Sequence, residues 1–157
     1  MKAASVNELK EELKQLPADR MVEICLRLAK YKKENKELLN YLLFESDDEH
    51  GYINAVKKEI TSEFAEVNSS NLYFAKKTIR KILRITNKHI RYTASKHAEA
   101  ELLIWFCAQL KQSGIPFTKS TALNNLYQSQ LKKAEKAIDT MHEDLQYDYR
   151  KELIKLI

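Results

Sequence analysis

Apolar residues recur at three- and four-residue intervals along most of this chain, the period of amphipathic helices. Ser5 followed by Glu8 has the spacing of a capping box, with Leu9, Leu13 and Leu16 behind it, so a first helix of about two or three turns is predicted. Pro17 suits the first turn of a second helix, where its missing N–H costs nothing. Met21, Ile24, Cys25, Leu28 and Ala29 give that helix one apolar face, and Lys32 and Lys33 mark its end, where cations meet the negative end of the helix dipole. Leu38, Leu39, Leu42 and Leu43 define the buried side of a third helix over residues 35–44. Residues 45–51 form an acidic loop ending in Gly51. Ile53, Val56, Ile60, Phe64 and Val67 predict a fourth helix, and Asn68, Ser69 and Ser70 break it and offer caps to the next.

The fifth helix has two clean faces. On a wheel with Lys76 at zero, Arg80, Arg84, Lys77, Lys88 and Lys81 fall at about 40°, 80°, 100°, 120° and 140°. Leu72, Ala75, Ile79, Ile82, Leu83 and Thr86 fall between about 240° and 340°. The path of residues 87–93 stays open. Thr93 or Ser95 then caps a sixth helix running to Gln112, with Ser113 and Gly114 as its stop. Residues 102–108 are apolar on all sides, the pattern of a helix surrounded by other helices. Residues 115–118 form a loop with an apolar anchor. Thr121 starts a seventh helix with Leu123, Leu126, Tyr127, Leu131, Ala134, Ala137, Ile138 and Met141 on its inner side. A last helix from about Leu145 carries Tyr149, Leu153, Ile154 and Ile157.

Composition supports an all-α class. Only 2 Gly and 2 Pro occur in 157 residues, too few for the turns of a sheet-rich fold. The expectation is one helical domain over residues 1–157 with seven or eight helices, either a compact bundle or a short stack of antiparallel hairpins. The run 102–108 is too short to cross a bilayer, and residues 1–7 lack the apolar core of a signal peptide. Cys25 and Cys107 lie in apolar helical patterns and read as free buried thiols rather than a disulfide or a metal pair. A cytoplasmic protein without membrane association, cofactor or small-molecule ligand is expected.

Charge adds one feature. Residues 1–66 carry a net −3 and residues 99–157 a net 0, so the whole +5 arises between Glu66 and Glu99, where no acidic residue occurs. Lys76, Lys77, Arg80, Lys81, Arg84, Lys88, Arg91 and Lys96 lie there. The first seven make up the candidate binding surface, for a polyanion or another partner. Tyr73, His89 and Tyr92 lie nearby as possible stacking platforms for bases. The same face could instead be solvated, or neutralised by the acidic loop 45–49 or by a second copy.

The opening Glu8-Leu9-Lys10-Glu11-Glu12-Leu13, then Leu16, Tyr31-Lys32-Lys33, Ala75-Lys76-Lys77-Thr78-Ile79 and the turn into Phe117-Thr118 resemble an uncharacterised bacterial helical family known only as a domain of unknown function. The resemblance covers most of the chain and implies a small, all-helical bacterial protein. That family carries no assigned reaction, ligand or catalytic residue.

The other candidate chemistry is sparse. His97 and Glu101 are four apart on one helical face, the spacing of a surface pair and only half of a metal or acid–base site. The acidic loop lacks the alternating oxygens and terminal glutamate of a calcium-binding hand. No Gly-rich phosphate loop occurs, and neither cysteine has an adjacent base. No catalytic or metal-ligating residue is assigned. The expected role is a non-enzymatic interaction or scaffold protein that holds a protein partner or itself. Polyanion or nucleic-acid binding through residues 76–88 is the alternative, and an enzyme with a site assembled between helices the third.

Overall fold

The helices follow the predicted order in a computed structural model that describes residues 1–157, with the N-cap of the fifth helix supplied by Asn71 and not by Asn68, Ser69 or Ser70. There are eight α-helices and no strand. Helix α1 spans Val6–Lys14, and its capping box is complete: the Ser5 hydroxyl accepts the Glu8 N–H at 3.2 Å, and the Glu8 carboxylate accepts the Ser5 N–H at 2.9 Å. Helix α2 is Ala18–Tyr31. Pro17 stands one place before it, extended, with its carbonyl accepting the Met21 N–H at 3.1 Å.

Helix α3, Lys33–Asn40, starts earlier than predicted and gives way to a π-helical turn, Tyr41–Glu45. The extra residue that a π turn inserts re-aims the side chains that follow it. Leu42 and Leu43, expected on the buried side, are exposed.

Helix α4 runs from Glu49 to Ala65 and so absorbs the last three residues of the predicted acidic loop, 49–51. The Asp48 carboxylate accepts the Gly51 N–H at 2.9 Å. A Cβ on residue 51 would stand 2.2 Å from Asp48 Oδ2, so a larger residue there would push the capping carboxylate out of its present position.

Helix α5, Leu72–Thr93, is continuous through the stretch left open above. It stops at Ala94, a non-glycine residue in the left-handed region with φ 48°. Ser95 caps α6, Lys96–Gln112, and Gly114 follows it with φ 76°. After a 3₁₀ turn at Phe117–Lys119, Ser120 caps α7, Thr121–Asp139. His142, read above as part of a polar break, caps α8, Glu143–Ile154, by accepting the Asp144 N–H on Nδ1 at 3.3 Å.

Within the stretch predicted as one domain, contacts gather into two compact units, Met1–Phe44 and Glu45–Ile157. In the first, α2 packs on α3, and the Asn35 amide donates to the Leu28 carbonyl at 2.8 Å. Only Ala29 and Tyr41 are fully buried there, and α1 buries none of its side chains.

In the second unit α6 is central, packing against α4, α5, α7 and α8, as its all-round apolar centre requires. Leu102, Leu103, Phe106, Cys107 and Leu110 are sealed from solvent with Ile53 and Ile60 of α4, Ile79 and Ile82 of α5 and Leu123 and Ile138 of α7. Each large side chain buried in this way contributes about 1.5–3 kcal/mol. Ile115 and Phe117 anchor the loop before α7, and Leu153 and Leu156 close the core from the C-terminal end.

Two polar groups lie in this core. Thr86 donates to the Ile82 carbonyl one turn back at 2.9 Å. Gln130, 3 % exposed, donates to the Leu126 carbonyl but leaves its own oxygen without a partner.

Candidate functional site

Helix α5 turns Ala75, Ile79, Ile82 and Thr86 into the core, and that fixes where its cations point. Tyr73, Lys76, Lys77, Arg80, Leu83, Arg84 and Asn87 line an open trough of about 610 Å³ along its outer face. The four cations of the trough form no ion pair.

The other members of the predicted set lie elsewhere. Lys81 turns to Glu63 of α4, with Nζ 3.2 Å from Oε2. Lys88 is half-buried and outside the lining, and Arg91 is exposed beyond the trough's end. The acidic residues 45–49 do not cover the trough lysines and arginines with ion pairs. Asp48 is used as a helix cap, and Glu49 accepts from the Ser95 hydroxyl at 2.5 Å and lies 3.5 Å from His97 Nδ1.

Of the three candidate stacking residues only one belongs to the trough. Tyr73 is 67 % exposed, with Phe74, 52 % exposed, in edge contact at 5.5 Å between ring centres. Tyr92 is buried. His89 is held by the Tyr52 hydroxyl at 2.6 Å and by Glu59 at 3.0 Å, so both are committed within the fold.

The N-terminal unit contributes a second surface. Cys25, Leu28, Ala29, Asn35, Leu38, Leu39 and Leu42 line a groove of about 280 Å³ between α2 and α3 that is mostly apolar. Around it the unit exposes large apolar side chains, among them Val22, Leu26, Leu28 and Phe44, and α1 exposes Val6, Leu9 and Leu13. Cys25, expected to be buried, is only half-buried at this groove. Cys107 is buried as expected, and burial pushes its thiol up to about 12.

A third cluster was only half legible in the sequence. His97 and Glu101, read there as a surface pair, are joined by Tyr149 from α8 and by Lys57 and Glu49 from α4. Tyr149 donates its proton to Glu101 Oε1 at 2.7 Å, so its oxygen accepts from His97 Nε2. Lys57 Nζ lies 3.1 Å from Glu101 Oε2 and 5.2 Å from the centre of the Trp105 ring, whose N–H is shared between the Lys57 carbonyl and the Thr61 hydroxyl at 3.1 Å each.

Burial alone would raise the Glu101 carboxyl. The Tyr149 hydroxyl and the Lys57 ammonium, with His97, outweigh it and hold the group below its ordinary value. Burial and the adjacent carboxylate push the Tyr149 phenol well above the usual tyrosine range. The cluster's donors and acceptors are spent on one another, and the bonds tie α8 to α6 and α4.

No helix is long and apolar enough to cross a membrane. No protein-family model, curated protein or solved structure matches the chain.

Proposed function

We propose that this protein is a cytoplasmic interaction module that self-associates through its N-terminal unit, α1 of one copy filling the apolar groove between α2 and α3 of another. The observation that carries the reading is that α1 is amphipathic and well capped yet buries no side chain. An apolar helix face with no cover inside the chain is a docking face. The same unit supplies its complement, a groove lined by Leu28, Leu38, Leu39 and Leu42. Leu9 and Leu13, one turn apart, match the anchor spacing of helix-in-groove recognition. Two free thiols fit a reducing compartment.

Light scattering behind a sizing column tests this over a range of protein concentrations. Dimers should accumulate with concentration, and Leu9→Asp with Leu13→Asp should return the protein to monomer with its helical content kept. Cys25 gives an independent readout, because it lines the groove while Cys107 is sealed and held as the thiol. Labelling of Cys25 by a thiol reagent should slow as the dimer forms. A monomer at every concentration, with Cys25 labelled at one constant rate, overturns the proposal.

A further inference from the structure

We infer that the trough on α5 binds single-stranded nucleic acid, its four cations tracking the phosphates while Tyr73 stacks on an unpaired base. The inference stands on the C-terminal unit alone and does not depend on self-association.

The charge carries the first step. Lys76, Lys77, Arg80 and Arg84 share one open depression and have no ion-pair partner, whereas Lys81 of the same helix is neutralised by Glu63. Four cations on one helix face start with their backbone already ordered, so only side-chain rotamer freedom is lost when they hold a linear array of negative charges. From Tyr73 to Asn87 the lining extends over about 21 Å at 1.5 Å per residue, long enough for a few nucleotides.

The aromatic end of the trough selects among polyanions. Tyr73 lines the depression with most of its surface in solvent, and the exposed Phe74 ring stands against it. In a duplex the base faces are stacked on one another and closed to such a ring. In a single strand they are open, and stacking on an aromatic side chain is the standard complement to a cationic groove. An acidic protein segment would satisfy the lysines and arginines and leave both rings in water. Asn87, at the other end, offers both a donor and an acceptor for a base edge or a sugar hydroxyl.

The test is fluorescence anisotropy of the full chain with a labelled oligo-dT and oligo-U of about twelve nucleotides and a duplex of the same length. Both single strands should bind more tightly than the duplex. With four phosphate contacts, affinity for a single strand should fall about 50-fold between 50 and 200 mM salt. Lys76→Glu with Arg80→Glu and Arg84→Glu should reduce it by roughly 100-fold or more. Tyr73→Ala should cost about tenfold for single strands and leave the duplex unchanged.

Lys132→Glu with Lys133→Glu and Lys136→Glu, three exposed positions of α7, changes the net charge equally and should have little effect. Circular dichroism confirms that each variant is folded. The inference is overturned if neither single strand binds at 50 mM salt, or if the α7 variant loses as much affinity as the α5 variant. It is also overturned if polyglutamate or the duplex binds as well as the single strands with Tyr73→Ala of no consequence.

Discussion

Helices α1 and α5 carry the same kind of pattern and meet opposite fates. Each is capped by a polar side chain, and each has an apolar stripe and a charged face. The stripe of α5, Ala75, Ile79 and Ile82, is sealed against the core that α4 and α6 build. The stripe of α1, Val6, Leu9 and Leu13, is open. Periodicity therefore reports that a helix has a side to be covered and says nothing of what covers it. In the C-terminal unit the cover is intramolecular, and what remains unpaired is the row of four trough cations, Lys76, Lys77, Arg80 and Arg84. In the N-terminal unit the apolar face itself remains free, and there the proposed docking takes place.

The comparison can be broken most forcefully in the core. Phe106→Ala, at a position with no solvent exposure, should destabilise the protein by about 4 kcal/mol through lost burial and the cavity left behind, measured by denaturant unfolding. A cost below about 1 kcal/mol would mean that the C-terminal unit is not the tightly packed one.

Next in size is the cluster that ties α8 down. Tyr149→Phe removes the proton given to Glu101 and the acceptor used by His97, and should cost about 1–2 kcal/mol. Its pH dependence has a definite sign. The Glu101 carboxyl lies lower in the folded protein than its ordinary value of 4.5, so on acidification the unfolded chain takes up that proton first. The stability Glu101 supplies is complete above about pH 4.5 and is lost as pH falls through the lowered value. Glu101→Gln should flatten that part of a stability–pH curve, and an unchanged acid limb would show that the cluster does not hold Glu101.

A smaller effect is expected where α5 ends. Ala94 pays for a left-handed backbone that glycine adopts freely, so Ala94→Gly should raise stability by about 1 kcal/mol. A loss instead would mean that the Ala94 methyl makes up for the strain.

The smallest change is expected on α1. Leu9→Ala should shift the stability of dilute, monomeric protein by no more than about 0.5 kcal/mol, although the same substitution in α6 would be severe. At high concentration the wild type should gain stability that the variant does not, because association favours the folded state. A large loss in the dilute monomer would erase the contrast between α1 and α5.

Much of this fold was legible in the chain. The Ser5–Glu8 capping box and the Ser113–Gly114 stop sit where local hydrogen bonding requires them, and of the two caps offered to the sixth helix, Thr93 and Ser95, the structure uses Ser95. Residues 102–108 have the all-round apolar pattern of a surrounded helix, and α4, α5, α7 and α8 pack around it. Elements that hinge on a single turn were less legible: residues 45–51 read as one loop, yet the π turn, the Asp48 cap and the start of α4 share them. The burial of Gln130 was not legible, because its own side chain is polar and Lys133 lies one turn on, although Leu126, Tyr127 and Ala134 around it are apolar. Of the predicted basic set, four residues share the trough and Lys81 is taken by an acid 18 positions earlier, a distance no helical wheel can see.

By itself the sequence determined the helical class, the Ser5–Glu8 capping box and the two faces of α5, because these follow from interactions within a turn or two of one helix. Tertiary structure decided which cations stay unpaired, which apolar stripes are covered and which polar residues meet. Tyr149 reaches Glu101 across 48 residues and His97 across 52, and Trp105 reaches the Lys57 carbonyl across 48. Such contacts depend on how whole helices pack, and helix packing is set by the summed shape of many buried side chains rather than by any local spacing.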